Sequence, residues 1–156
     1  MTNKALIAMS GGVDSSVAAF LTKDMGYDAT GITLKLFDNE DIGEKREKTC
    51  CSLDDIDDAR RVCLKLGIPY YVYNFKDSFK ENVIDRFIRA CENGTTPNPC
   101  IDCNRFIKFE KLIRRAEELD FDCVVTGHYS TIEYDKGADR YLLKKSVDST
   151  KDQSYV

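Results

Sequence analysis

Small polar residues follow directly after an apolar run near the start of the chain: "SGGVDSS" at residues 10–16 comes after "KALIAM". Gly11 and Gly12 carry no side chain that would keep a ligand away, so main-chain N–H groups can surround an anion there. The serine hydroxyls add donors, and a helix that begins here adds partial positive charge. Asp14 would repel a bare phosphate, and it fits better as a group that helps to hold Mg²⁺ beside a pyrophosphate. The loop therefore predicts a pyrophosphate site, and the alternative is a serine-capped helix after a tight glycine turn.

Two cysteines lie in a second motif, "GTTPNPCIDCNRFIKF", at residues 94–109. Its two prolines predict an extended loop, after which a helix is expected to begin at Cys103 and Asn104. A helix N-terminus favours the thiolate, which is the nucleophilic form of cysteine, so Cys103 is the candidate nucleophile. The C-x-x-C spacing of Cys100 and Cys103 leaves two metal alternatives open. These are zinc shared with the cysteine pair at 50–51, and an iron–sulfur cluster completed by a further cysteine.

The elements around these motifs alternate between strands and helices. Amphipathic segments between β-rich runs predict helices over residues 14–25, 52–67, 77–92 and 104–119. This alternation predicts an α/β fold with a doubly wound, mostly parallel sheet and helices on both faces. The junction at residues 10–16 would then lie at the carboxyl end of the sheet, where open α/β folds bind ligands. Two short β-like runs, "STIEYD" and "RYLLKKS", follow near the end of the chain.

The composition limits the class of protein. At 156 residues, with 42% apolar and 32% charged residues, the chain has the length and make-up of one globular domain. No apolar run approaches the length of a membrane span. Seven unevenly spaced cysteines favour a reducing compartment over a secreted disulfide framework, so we expect a cytoplasmic protein. The net charge of −4 argues against a stand-alone RNA binder, without excluding RNA contacts shared with other segments.

Some cysteines and charged residues have ordinary interpretations. Cys63, Cys91 and Cys123 lie among apolar neighbours and are expected to be small buried residues. On the helix expected after Cys103, the stripe predicted to face the core consists of Phe106, Phe109, Leu112, Ile113 and Ala116. The basic side of that helix either meets RNA phosphates or is a solvated face; it carries Lys108, Lys111, Arg114 and Arg115.

Together, the motifs resemble a known family. "SGGVDSS" after a first strand resembles the loop of the ATP pyrophosphatases, which split ATP into AMP and pyrophosphate. "PNPCIDCN", followed in order by "TGHY" and "KDQSY", is similar to the MnmA family of tRNA-specific 2-thiouridylases, and the match spans essentially the whole chain. This resemblance implies the ATP pyrophosphatase fold (adenine nucleotide alpha-hydrolase-like) and an ATP-dependent tRNA sulfurtransferase. Such an enzyme adenylates O2 of the wobble uridine and replaces that oxygen with persulfide sulfur.

The resemblance also implies site residues, motif by motif. ATP, with Mg²⁺, would be held by Ala8, Met9, Ser10, Gly11, Gly12, Val13, Asp14, Ser15, Leu34 and Gly127. The target base and other parts of the tRNA would contact Asn98, Pro99, Cys100, His128, Lys151, Asp152 and Gln153. Cys103 matches the family's first catalytic cysteine. The sulfur would come from a persulfide donor supplied by a cysteine desulfurase.

The sequence departs from the family pattern in two ways. Many members carry aspartate at the position of Cys100, so a carboxylate proposed to move protons is missing. The family's second catalytic cysteine, its middle domain and its C-terminal β-barrel would lie beyond Val156. Residues 1–156 are therefore expected to form an N-terminal ATP pyrophosphatase domain that binds ATP without completing thiolation. Two other functions stay open: an amidotransferase-linked synthetase of the ATP pyrophosphatase group, and a non-catalytic nucleotide- or metal-binding module.

Overall fold

The computed structural model describes residues 3–37 and 53–155, and the chain divides into two compact units after Thr126. The strands of the first unit are β1 (Lys4–Ala8), β2 (Asp28–Lys35), β3 (Tyr70–Asn74) and β4 (Cys123–Val125). Its helices are α1 (Val13–Asp24), α2 (Leu53–Leu66), α3 (Lys76–Phe79), α4 (Asp85–Glu92), α5 (Pro99–Asp102) and α6 (Leu112–Glu118). Within the described ranges, no helix combines the length and the apolar character that crossing a membrane requires.

The strands of the first unit form one parallel sheet in the order β3-β2-β1-β4. The chain runs outward from β1 to β2 and β3, and then crosses back to place β4 on the other side of β1. Open α/β folds bind ligands at such a reversal, in the crevice at the carboxyl ends of the strands. The expected doubly wound, mostly parallel α/β fold is confirmed.

Helices cover both faces of this sheet. Successive strand residues point to opposite sides, so the apolar strands present side chains on both faces for the helices to bury. On one face, Leu6 and Ile32 pack in a buried cluster with Val83, Ile107, Leu112 and Ala116. On the other face, Ile7 and Ala29 pack with residues of α1 and α2, namely Ala19, Ala59 and Cys63. Buried clusters on both faces therefore hold the strands whose carboxyl ends form the edge of the sheet.

Helix α1 turns small residues toward the sheet and leaves larger apolar ones exposed. Its buried residues are Ser15, Ala19 and Thr22. The exposed apolar residues of the helix and its C-terminal end are Val13, Val17, Phe20, Leu21 and Met25. The helix ends where the sequence predicts, since Gly26 follows with a left-handed φ of 84°. Small buried side chains allow a helix to lie close to the strands beneath it.

Two of the longer helical stretches contain π-type turns. Lys80–Ile84 joins α3 to α4 without a break, and Cys103–Lys111, here called the second π segment, joins α5 to α6. The helices expected over 77–92 and 104–119 are therefore present, but the later one begins at Pro99.

The second π segment changes which residues face the core. Hydrogen bonds from i to i+5 add a residue to each turn, so Ile107 and Leu112 share a face and are both fully buried. The regular helical period instead predicted Phe109 and Ile113 in the core, and these side chains are 43% and 38% exposed. That part of the predicted stripe is wrong, while Leu112 and Ala116 are confirmed as core residues.

The second unit contains an antiparallel hairpin of β5 (Ser130–Asp135) and β6 (Arg140–Lys145), which confirms the two short β-like runs. Tyr134 and Tyr141 lie opposite each other, with ring centroids 5.1 Å apart. In the connecting turn, Asp135 Oδ1 accepts a hydrogen bond from the Gly137 N–H at 2.8 Å.

Candidate functional site

The loop between β1 and α1 is held in shape by its own serines. Ser15 is buried, and its Oγ accepts a hydrogen bond from the Ser10 N–H at 3.2 Å and donates one to the Gly12 carbonyl at 3.0 Å. Ser16 Oγ donates to the same carbonyl at 2.8 Å. The hydroxyls of Ser15 and Ser16 are therefore engaged within the loop. Ser10 Oγ lies 3.1 Å from Ser15 Oγ and donates to it, since the Ser15 proton is given to the Gly12 carbonyl. The donors left to meet an anion are therefore main-chain groups.

Those main-chain donors lie at the start of α1. Gly12 is the N-cap residue, and no side chain caps the helix. The first N–H groups of a helix have no partner within the helix, and the aligned peptide dipoles place partial positive charge at that end. An uncapped N-terminus after a glycine pair fits an anionic group such as a pyrophosphate. Asp14, the other predicted ligand-holding side chain, is exposed in the first turn of the same helix.

Gly11 has a packing role that sequence reasoning missed. Its φ is +78°, and a Cβ added to it would lie 2.5 Å from the carbonyl oxygen of Asp55 and 2.7 Å from the Asp55 Cα. The first turn of α2 therefore lies against the loop. Only glycine fits at this position, because it has both the left-handed conformation and the close backbone approach.

A polar network beneath the loop was also missed. Thr33 is fully buried, and its Oγ1 donates to the Met9 carbonyl at 2.8 Å. Tyr70 Oη donates to Thr33 Oγ1 at 2.7 Å and lies 3.2 Å from the Ile56 carbonyl. Burial raises the pKa of the Tyr70 phenol. The sequence signals for this network were a threonine in a β-rich run and a tyrosine at the start of the next strand. Both residue types are common in strands, so they did not indicate a buried hydrogen-bond network.

Three of the predicted nucleotide-binding residues have side chains turned toward the interior. Leu34 is only 6% exposed and belongs to the core cluster, Met9 is buried, and Ala8 is half-buried against that cluster. The last β2 residue paired with β1 is Ile32, so Leu34 lies beyond the end of β1, at the carboxyl edge. Both main-chain groups of Met9 are engaged, since its N–H donates to the Ile32 carbonyl at 2.7 Å and its carbonyl accepts from Thr33. The predicted contacts of these three residues with ATP stay predictions.

The helix with the two motif cysteines begins earlier than the sequence predicts. Asn98 is its N-cap residue, and the Asn98 Oδ1 accepts a hydrogen bond from the Cys100 N–H at 3.0 Å. Pro99 fits the first helical position because the N–H that it lacks would have no partner there. The helix N-terminus therefore lies at Cys100, and Cys103 lies one turn further in. The prediction that Cys103 starts the helix is wrong.

Neither motif cysteine is in a disulfide, and the two differ in exposure. Cys100 is exposed, and Cys103 is half-buried. Residues three apart in a helix lie on the same side, so the two thiols share one face of the first turn. The proximity of Cys103 to the start of the helix still gives it a weaker form of the electrostatic advantage that the sequence argument assigned to it.

The other described cysteines divide by burial. Cys63 is fully buried, as predicted, and burial raises its pKa from 9.0 to about 11. Cys123 is half-buried, and burial raises its pKa as well. Cys91 is exposed, so its predicted burial is wrong; it lies in α4, whose residues are not buried in the core.

No group of three or more metal-ligating side chains occurs among the residues that the structure describes. The cysteine pair at 50–51, named above as an option for zinc, lies outside those residues. The iron–sulfur alternative at Cys100 and Cys103 would need a ligand beyond this set, and it stays a prediction.

The second unit brings together most of the residues predicted to contact tRNA. The Tyr129 N–H donates to Gln153 Oε1 at 3.0 Å, and the Gln153 N–H donates to the Tyr129 carbonyl at 2.8 Å. Lys151 Nζ lies 5.3 Å from the Tyr129 ring centroid. These contacts join the segment at 151–153 to the residue after His128, which is itself half-buried.

Asp152 is engaged within this second unit. Its Oδ1 accepts a hydrogen bond from the Ser146 N–H at 2.9 Å, and its Oδ2 accepts one from Ser154 Oγ at 3.0 Å. These hydrogen bonds, the Ser146 N–H first, lower the pKa of the Asp152 carboxyl. Gly127 also belongs to the second unit. Its predicted role near the nucleotide stays a prediction.

The geometry can now be compared with known proteins. Residues 3–156 match the family described as "tRNA methyl transferase HUP domain". The chain belongs to this family. Related members include "tRNA-specific 2-thiouridylase MnmA" of Clostridium beijerinckii, 56% identical over 156 residues. The protein of the same name in Clostridioides difficile is 55% identical over 156 residues. The chain is covered completely in both comparisons, but it spans 43% of the length of each relative.

Solved structures share the fold at low identity. A glutamine-dependent NAD+ synthetase from Acinetobacter baumannii, solved with ADP, aligns with a TM-score of 0.53 at 12% identity, over 78% of this chain and 20% of that one. A predicted subunit of tRNA methyltransferase from Methanocaldococcus jannaschii aligns with a TM-score of 0.52 at 18% identity, over 87% and 56%. Both agree with the doubly wound sheet described above.

Proposed function

We propose that this chain is the ATP-binding part of a tRNA 2-thiouridylase. The observation that carries the proposal is the 56% identity, over all 156 residues, to a protein named tRNA-specific 2-thiouridylase MnmA. Two features would supply the chemistry that such an enzyme needs. They are the uncapped N-terminus of α1 and residues 98–103 at the start of α5, here called the cysteine turn.

The loop would hold the pyrophosphate part of ATP. Main-chain N–H groups at the start of α1 would bind the phosphate oxygens, while Ser15 and Ser16 keep the loop in shape. Asp14 would help to hold Mg²⁺, whose oxygen-only ligand preference suits an exposed carboxylate. A metal there would neutralise charge on the departing pyrophosphate.

The cysteine turn would receive the target base. In this proposal, Asn98, Pro99 and Cys100 lie against the wobble uridine, and Cys103 is the nucleophilic thiol. Adenylation of O2 turns a poor leaving group into AMP, which the outer sulfur of a persulfide would displace from C2. The Cys103 thiolate would then attack the inner sulfur of that persulfide, which breaks the S–S bond, forms a disulfide and leaves the outer sulfur on the base. In the family pattern, the persulfide forms on a second cysteine in the part of the relatives that follows residue 156. His128 and the segment at 151–153 would contact other parts of the tRNA.

The test is 2-thiouridine formation by the complete gene product with ATP, Mg²⁺, tRNA and a persulfide donor. Cys103→Ala should lower the rate by about a thousandfold or more, as removal of a nucleophile does. Cys91→Ala is the matched control, because it removes a thiol that is exposed on α4, and it should leave the rate unchanged. A Cys103→Ala enzyme that keeps the parent rate would contradict the assignment.

A second candidate function is methyl transfer to tRNA, which the family description names. Mass analysis of the product nucleoside separates the two, because one reaction replaces oxygen with sulfur and the other adds a methyl group. The synthetase alternative requires ATP–pyrophosphate exchange that depends on a small acid instead of tRNA. A non-catalytic module would bind ATP without any Mg²⁺-dependent turnover.

A further inference from the structure

Two arginines from different helices contact one aromatic ring beside the cysteine turn. The guanidinium carbon of Arg86, on α4, lies 4.9 Å from the Phe106 ring centroid, and that of Arg105 lies 5.2 Å from the same point. Arg86 Nε also donates to Asp102 Oδ2 at 3.3 Å. Asp102 immediately precedes Cys103, so this group lies on the same turn of helix as the candidate nucleophile.

The ring and the two guanidinium groups form an accessible surface, here called the Arg86–Phe106–Arg105 surface. The Arg86 side chain is 51% exposed, Arg105 is exposed, and Phe106 is half-buried. The two positive charges lie at most about 10 Å apart, since each is about 5 Å from one centroid. Asp102 balances the charge of Arg86, so Arg105 supplies the net positive charge of this surface.

Arg86 pairs with Asp102 through Nε, which leaves its two terminal nitrogens to other acceptors, whereas the other stacked arginines pair through a terminal nitrogen. Arg60 lies over Tyr70 at 6.0 Å and pairs with Asp57 at 2.8 Å on its own helix. Arg115 lies over Tyr73 at 5.5 Å and pairs with Glu118 at 2.8 Å. Among the described residues, by contrast, no carboxylate pairs with Arg105. Its charge is therefore available to an external anion.

The basic face predicted from the sequence is weaker by the same measure. Arg114 pairs with Glu110 at 3.3 Å, and Arg115 pairs with Glu118. Two of its four cations are thus neutralised within their own helix. The stronger candidate for an anion-binding surface is the one next to the cysteines.

We infer that the Arg86–Phe106–Arg105 surface binds the sugar–phosphate backbone of the RNA loop whose base is presented to Cys100 and Cys103. A guanidinium group offers several N–H donors in a planar fork that matches phosphate oxygens. Successive phosphates along an RNA strand supply the separated negative charges that two such groups can share. Phe106 acts as a positioning residue, because the cation–π contacts hold both guanidinium groups in place. The inference rests on the proposed function for its substrate class and adds the residues that hold the substrate's backbone.

The test measures how tightly the complete gene product binds a fluorescent anticodon stem-loop RNA with uridine at the wobble position, over a range of KCl concentrations. Arg105→Gln and Arg86→Gln should each raise the Kd about tenfold at low salt. Each should also lower the slope of log K against log salt by about 0.7 to 0.9, the value for one lost phosphate contact. Phe106→Leu should raise the Kd about two- to fivefold, the worth of an exposed cation–π contact, whereas Phe106→Tyr should restore parent binding.

Arg60→Gln is the matched control, because Arg60 is stacked and exposed but has a terminal nitrogen paired with Asp57 and does not lie beside the motif cysteines. It should leave both the Kd and the slope unchanged. Parent-like Kd and slope in Arg105→Gln and Arg86→Gln would overturn the inference, as would parent-like binding by Phe106→Leu. So would tighter binding of poly-glutamate than of the RNA.

Measuring 2-thiouridine in the same samples separates the two claims. Thiolation together with variant-insensitive RNA binding would overturn this inference and keep the proposed function. Variant-sensitive RNA binding without any thiolation would do the reverse. A parent protein that does not bind the RNA would overturn both.

Discussion

The loop between β1 and α1 and the helix that begins at Pro99 contrast in how they are built. The loop is shaped by glycine conformation and serine hydroxyls, and it presents main-chain groups. The helix presents side chains, and π-type turns set which of them are buried and which are exposed. A site made of main-chain groups depends on a few small residues. A site made of side chains depends on which face the whole helix turns toward the core. The two should therefore fail under different substitutions.

The largest effect on stability should come from the residues that the second π segment buries. Ile107→Ala should lower the free energy of unfolding by about 3 to 4 kcal/mol, because Ile107 is fully buried and its loss leaves a cavity. Phe109→Ala, on the face that a regular helix would bury, should cost less than about 1 kcal/mol, since Phe109 is 43% exposed. Urea denaturation of both variants measures this difference. Equal costs, or a larger cost at Phe109, would mean that the helix keeps a regular period.

A smaller effect should come from the loop. Gly11→Ala should cost about 2 to 3 kcal/mol, because a Cβ there would lie 2.5 Å from the Asp55 carbonyl in a backbone conformation that disfavours L-residues. Calorimetry should show weaker ATP binding by the same variant. Gly26→Ala is the control, since Gly26 has a similar φ of +84° with nothing within 4 Å of an added Cβ. It should cost only the strain, about 1 kcal/mol, and leave ATP binding unchanged. If Gly11→Ala and Gly26→Ala lower the stability equally, α2 does not approach the loop as closely as described.

The smallest effect should come from the cap of the cysteine helix. Asn98→Ala removes the acceptor of the Cys100 N–H and should cost about 1 kcal/mol. Asn98→Asp keeps an oxygen acceptor at the N-cap and should restore stability in thermal unfolding. If the cap also places Cys100, iodoacetamide should modify Cys100 at an altered rate in Asn98→Ala and at the parent rate in Asn98→Asp. Indistinguishable stability in all three proteins would place the helix start elsewhere.

The alternation of strands and helices predicted the architecture, because buried parallel strands and amphipathic helices have different periods. Gly26 and Gly67 both adopt the left-handed conformation that ends a helix. The loop between β1 and α1 was recognisable for a related reason, because a site made of main-chain donors requires small residues at fixed places. Its contact with the first turn of α2 joins residues 44 positions apart, Gly11 and Asp55, and local patterns do not encode such contacts.

The start and the buried face of the helix that begins at Pro99 were less predictable from the sequence. Prolines at 97 and 99 indicate an extended loop, but Pro99 instead occupies the first helical position, and Asn98 caps the helix. The π turns then change which residues are buried, so a stripe assigned with the regular helical period selects Phe109 instead of Ile107. Neither Arg86 nor Asp102 stands out in the sequence, because their pairing joins two helices.

Gly31 leaves room for the Cys63 thiol against the sheet, and this contact makes the separation of α2 from β2 measurable. A Cβ at this position would lie 2.5 Å from the Cys63 sulfur, so the absence of a side chain lets the thiol sit directly on the sheet, with a pKa of about 11. Alkylating reagents attack the thiolate, and at neutral pH they should modify exposed Cys91 and Cys100 first. Cys63 becomes reactive only when α2 lifts away from β2, so its labelling rate reports how often the sheet uncovers that face.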